Sequence, residues 1–165
     1  MHERRLSSDI LERQFGKTYL KVLSDDNEPR IICTRALDGD RVLEISSVTF
    51  TPAGAEKFPD AHRAVLAGES MGKVFREHGI PFRRNIQALY GYTLPANFER
   101  WFGESGQATI IDLTVVAGPD DTPYARILET FSPAVHWPNF TPGSMPEHTE
   151  RIEQLDRFLS GRSPE

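Results

Sequence analysis

The stretch that decides the fold runs Ala108-Thr-Ile-Ile-Asp-Leu-Thr-Val-Val116, then Ala117-Gly-Pro-Asp-Asp-Thr122, then Pro123-Tyr-Ala-Arg-Ile-Leu-Glu-Thr-Phe131. Two β-rich runs joined by a segment of turn-forming residues make an antiparallel hairpin. In the returning run, β alternation places Glu129 on one face with Ala125, Ile127 and Phe131, while Tyr124, Arg126, Leu128 and Thr130 take the other. A carboxylate flanked on its own face by Ile and Phe loses hydration of its charged form, so its pKa rises unless a cation is near. That makes Glu129 the first candidate for proton chemistry. The same pattern also suits a structural Glu at the end of an edge strand.

A second hairpin lies upstream. Arg30–Leu37 and Arg41–Thr51 are β-like and are joined by Asp38-Gly39-Asp40, a tight-turn signal. Within the later run Leu43 and Ile45 share one parity and Val48 and Phe50 the other, so a β-bulge at Ser46-Ser47 is expected to restore one buried face. Thr18–Leu23 and Phe82–Tyr92 add further strands.

Helical segments separate these runs. Ser7-Ser8-Asp9 resembles an N-cap with an acidic first turn, and Gly16 closes that helix. Asp60–Ala67 reads as a short helix broken at Gly68, Ser70 as the N-cap of Met71–His78, and Ala96–Phe102 as an aromatic helix or turn. Trp137–Pro146 is irregular and proline-rich. Ile152, Leu155 and Leu159 then mark an amphipathic helix docking by a narrow stripe. The order helix, hairpin, helix pair, hairpin, helix gives an α+β fold: a single antiparallel β-sheet with helices packed on one side. Residues 1–165 are read as one domain with a core at about 6–137 and a terminal helix at about 146–160.

Composition narrows the function. A net charge of -5 with scattered Lys and Arg gives no nucleic-acid footprint. There is no apolar run of membrane-spanning length and no signal-peptide core, and the single Cys33 sits in Ile31-Ile32-Cys33 as a small buried hydrophobe. A cytoplasmic protein that binds neither nucleic acid nor membrane is expected, as a monomer or homodimer. The five histidines lack paired ligand spacing, so no metal is expected, and no glycine run has nucleotide-binding spacing. Gly68-Glu-Ser-Met-Gly72 matches the G-x-S-x-G pattern, but a nucleophile elbow follows a buried strand, whereas helix-like Ala61–Ala67 comes first here.

In order and spacing these pieces resemble the chorismate lyase fold, shared with stand-alone relatives and with the UTRA-type effector domains of some transcription regulators. The resemblance runs from about Leu6 to Trp137. It rests on Leu11-Glu-Arg-Gln-Phe-Gly16, the hairpin around Asp38-Gly39, Leu66-Ala-Gly-Glu-Ser-Met-Gly-Lys-Val-Phe75, Arg83-Arg84-Asn-Ile86 and Tyr124-Ala-Arg-Ile-Leu-Glu-Thr-Phe-Ser-Pro133. It implies a closed pocket over the sheet and no cofactor. In that family two arginines hold carboxylates, backbone amides at a helix start assist, and a Glu on the last strand serves the chemistry. Carried over residue by residue, Glu129 matches that Glu, Met71 with Gly72 the helix start, and Arg30 the first arginine, with Arg35 as the second choice. Arg84 joins the ligand-binding set. The second arginine has no counterpart, its place falling near Ser46 or Ser47, so the resemblance implies one carboxylate partner fewer than chorismate would meet in that family.

The resemblance thus implies a carbon–oxygen lyase-like enzyme acting on a small, anionic biosynthetic substrate, with Glu129 as general acid or base and Arg30 as anchor. Two alternatives stay open: a non-catalytic effector-binding module, and a tailoring enzyme promoting elimination or cyclisation on another substrate.

Overall fold

The structure is a computed structural model and describes residues 6–137 and 150–164. Six strands form one antiparallel sheet: β1 (Thr18–Val22), β2 (Arg30–Ala36), β3 (Val42–Phe50), β4 (Phe82–Thr93), β5 (Gln107–Ala117) and β6 (Thr122–Phe131). Their order across the sheet is β1-β2-β3-β6-β5-β4. Both expected hairpins form. Gly39 and Asp40 turn the first at positive φ (82° and 56°), a backbone region that Gly enters freely and Asp tolerates.

The six described helices are α1 (Leu6–Phe15), α2 (Pro52–Lys57), α3 (Pro59–Leu66), α4 (Met71–Glu77), α5 (Ala96–Phe102) and α6 (Glu150–Ser160). Helices α1, α3 and α4 pack on one side of the sheet through Leu11, Ala61, Val65, Val74 and Phe75 against Leu43, Ile111, Leu113, Val115 and Ile127. A second apolar cluster uses alternate residues of the same strands, Ile31, Cys33, Ile45, Ile110 and Leu128, and takes in Phe98 and Trp101 of α5 and the Ile152, Leu155, Leu159 stripe of α6. Residues 146–149 of the expected terminal helix, and most of the proline-rich segment, lie outside the described residues. No described helix is long and apolar enough to cross a membrane.

Two local expectations are corrected. The bulge does not fall at Ser46-Ser47, where pairing runs unbroken from Arg30 opposite Val48 to Thr34 opposite Glu44; the irregularity lies between Thr34 and Arg35. Strand β3 is central and buried on both faces, so Ile45 and Val48 satisfy opposite cores without any shift of parity. Helix α2 follows the strand directly and has no counterpart among the elements expected from the sequence. Thr51 caps it, its hydroxyl accepting from the Gly54 amide at 3.0 Å, and Pro52 occupies the first turn, where a missing N–H costs nothing.

Gly54 is fixed by contact: a Cβ there would stand 2.8 Å from both the Cα and the Cδ1 of Tyr124. Because the first of these atoms is backbone, Gly54→Ala is expected to destabilise the protein by about 1–3 kcal/mol, read as a lower midpoint in chemical denaturation.

Candidate functional site

Between the sheet and helices α1 and α4 lies a cavity of about 230 Å³. Leu20, Ile32, Val48, Val115 and Ile127 of the sheet, with Leu11 and Met71 from the helices, make most of its wall apolar. Its polar lining comes from Thr34, Glu44, Ser46, Arg84 and Glu129 on four strands, and from Ser8, Ser70 and Arg76 on the helical side.

Strand β6 runs between β3 and β5, so Glu129 stands mid-sheet, opposite Ser46 on one side and Ile111 on the other. It is 6% exposed. The cation that the sequence left open is Arg84, whose guanidinium donates to Glu129 Oε1 at 2.7 Å from β4, with a quarter of its own side chain exposed (24%). A charge-assisted pair of this kind holds a buried carboxylate in place.

The carboxyl whose pKa is pushed well up is Glu44, which sequence reading passed over. Complete burial is the main cause and the neighbouring Glu129 carboxyl the second. Thr34 Oγ1 donates to Glu44 Oε1 at 3.0 Å, while Glu44 Oε2 and Ser46 Oγ have no donor or acceptor from conventional partners in the described structure. Two buried carboxyls this close repel each other when both are ionised, so Glu44 keeps its proton while Arg84 pairs with Glu129. The signal was present in Leu43-Glu44-Ile45: an acid inside an apolar strand, sharing parity with Ser46 and Val48, the same pattern that singled out Glu129.

The sign of the resulting pH effect is fixed. A carboxyl with a raised folded-state pKa contributes most below the pKa it has when unfolded, and that contribution is lost as pH rises toward the folded value. Glu44→Gln, which removes the titration, is therefore expected to melt higher than the parent at neutral pH and to lose that advantage in acid, in thermal melts across pH.

The cavity brings together Glu129, Ser46, Met71, Gly72 and Arg84 from the sequence-based set. It does not include Arg30 or Arg35. Arg30 lies on the same sheet face but further along, lining a neighbouring void of about 40 Å³, and its guanidinium donates to the carbonyls of Val65 and, at 3.3 Å, Leu66. It thereby ties down the carbonyl end of α3, where the Val65 carbonyl also accepts from the Gly68 amide at 3.1 Å. Arg35 alternates with Thr34 and donates to the carbonyls of Asp40, at 2.8 Å, and Pro164, away from the cavity. Chain parity could not separate a cavity arginine from one that caps a helix across the sheet.

Arg76 enters as a residue that the sequence did not mark. It is exposed at the cavity lining, where its guanidinium nitrogen would lie 3.6 Å from a Cβ placed on Gly72, and has no acidic partner among the described residues. Ser70 caps α4, accepting from the Lys73 amide at 3.4 Å, and follows α3 and a short turn rather than a buried strand, so it has no elbow geometry. Among the described residues no group of three His, Cys, Asp or Glu side chains is placed to hold a metal ion.

No protein-family model matches the chain, and no curated protein matches it in sequence. Among solved structures it is similar to the ligand-binding domain of a protein described as a GntR-family transcriptional regulator, from Bordetella bronchiseptica, at 13% identity over 76% of this chain and 91% of that one, with a TM-score of 0.49. It is also similar to the C-terminal domain of the histidine utilization repressor from Pseudomonas syringae, at 9% identity over 79% of this chain and 100% of that one, TM-score 0.45. A third is a GntR-family regulator from Enterococcus faecalis, at 7% identity over 78% of this chain and 96% of that one, TM-score 0.43. At such scores nothing about this chain's ligand follows from theirs.

Proposed function

We propose that this chain is a small-ligand-binding module whose cavity takes a compact, single-ring molecule bearing one acidic group. The observation that carries the reading is the distribution of polarity: an apolar cavity in which buried polar atoms of Glu44 and Ser46 lack ordinary partners, bordered by the guanidinium groups of Arg84 and Arg76. Buried polar atoms without partners cost about 1–3 kcal/mol each, a cost that a ligand offering matching groups relieves. The volume, below the common range for drug-sized ligands, limits the occupant to about one ring with small substituents.

Acid–base catalysis, as in a lyase, is a second reading, and the proton-bearing Glu44 against Glu129 is what favours it. The two readings separate on Glu129→Gln: an enzyme loses turnover, whereas a binding module changes only affinity.

The direct test is a thermal-shift series with benzoate and related single-ring acids, beside their uncharged amides. A ligand at a hundred times its Kd adds about 2.7 kcal/mol of stability, a clear rise in Tm. Acids are expected to raise Tm and amides to do so weakly. Equal response to both, or none to any acid, would reject the proposed ligand class.

A further inference from the structure

We propose that occupancy of this cavity is proton-linked: Glu44 and Glu129 hold one proton between them, and an anionic ligand is accepted only while that proton is in place. The inference rests on the reading of the cavity as a site for a small acid. Its basis is the geometry of the carboxyl pair. Ser46 stands opposite Glu129 and Glu44 opposite Phe131, so the two acids are diagonal neighbours on adjacent central strands, within reach of each other on one face. Each has one oxygen already engaged, Glu44 Oε1 by Thr34 and Glu129 Oε1 by Arg84.

The charged groups facing the pair are few. Arg84 comes from β4 and Arg76 from α4; β2 offers Ile32 and Thr34, β5 offers Val115, and α1 offers Ser8 and Leu11, all uncharged. Cys33 is buried on the other face of the sheet. With the proton present, Arg84 balances Glu129, Glu44 is neutral, and Arg76 is the uncompensated charge among the described lining residues. Loss of the proton cancels that positive field, removes a hydrogen-bond donor and sets a second carboxylate against the incoming anion.

The test uses benzoate as probe, with affinity measured by calorimetry from mildly acid to mildly alkaline pH, and the side-chain carboxyl carbons of the free protein followed by NMR. For the parent protein, Kd is expected to hold steady at low pH and then weaken by about tenfold per pH unit beyond the Glu44 titration, the slope of a single linked proton. Glu44→Gln, a neutral donor at every pH, is expected to bind with little pH dependence. In the NMR titration Glu44 should deprotonate late, and earlier in Glu129→Gln, where the like charge is gone and Arg84 is released. Matching pH profiles for parent and Glu44→Gln, or a Glu44 carboxyl that titrates like an exposed one, would overturn the linkage while leaving the binding site intact. Failure of both proteins to bind benzoate at any pH would instead overturn the ligand class, and this linkage with it.

Discussion

Tyr124→Ala is expected to destabilise the protein by about 3–5 kcal/mol, the range for truncating a fully buried aromatic side chain, and so to take most of the stability of a domain this size. Tyr124 is wholly buried at the start of β6. Its ring meets Phe75 edge-on at 4.9 Å and Phe50 at 5.6 Å, and its hydroxyl lies 2.6 Å from His62 Nδ1. Burial pushes the Tyr124 hydroxyl pKa up and lowers that of His62, with Arg30 lowering His62 further, so the pair is neutral and sharing a hydrogen bond at physiological pH. Tyr124→Phe keeps the ring and removes only the hydroxyl, and about 1 kcal/mol is expected from it. Urea denaturation of both variants checks the pair: a Tyr124→Phe loss as large as that of Tyr124→Ala would mean that the hydrogen bond, not ring packing, holds α3 to the sheet.

Arg84→Leu is expected to weaken binding of a single-ring acid by about 10- to 150-fold, the equivalent of the 1.5–3 kcal/mol that a charge-assisted hydrogen bond contributes. It also withdraws the cation that holds Glu129. Breaking a buried ion pair from one side costs about 3–5 kcal/mol when the remaining charge cannot escape. Here Arg84 is a quarter exposed, so water already screens the pair and about 2 kcal/mol is the expected loss of stability. Calorimetric titration with benzoate gives the first quantity and chemical denaturation the second. The double change Arg84→Leu with Glu129→Leu removes the stranded acid, and should recover most of the lost stability but none of the affinity. Recovery of both would exclude Arg84 from the ligand's binding.

Much of this site could be read from the chain. Glu129 was marked by an acid standing among Ile and Phe on one strand face, and it lies in the cavity as that parity requires. Met71, Gly72 and Ser46 were marked too, and they line the same cavity. Glu44 carried the same signal and was passed over, because a single buried face was expected for β3, whereas the strand is buried on both. Arg30 was marked as the anchor beside Glu129 and Arg84 as ligand-binding, yet the sequence offers no way to tell which of them enters the cavity. One ends against the carbonyls of α3 and the other against Glu129, and only the packing of α3 across the sheet makes that difference.

The sequence by itself determined the strands, most of the helices, both hairpins and the α+β class, because those depend on alternation, turn residues and caps that act within a few positions of the chain. Tertiary structure decided the rest. Placing β6 beside β3 set Glu129 diagonal to Glu44, two acids 85 positions apart in the sequence. The far strand β4 then brought Arg84 to one of them and left the other to keep its proton. The physical reason is that the charge state of a buried acid depends on how much water it loses and which charge stands within a few ångströms, and both are properties of strand order rather than of neighbours along the chain.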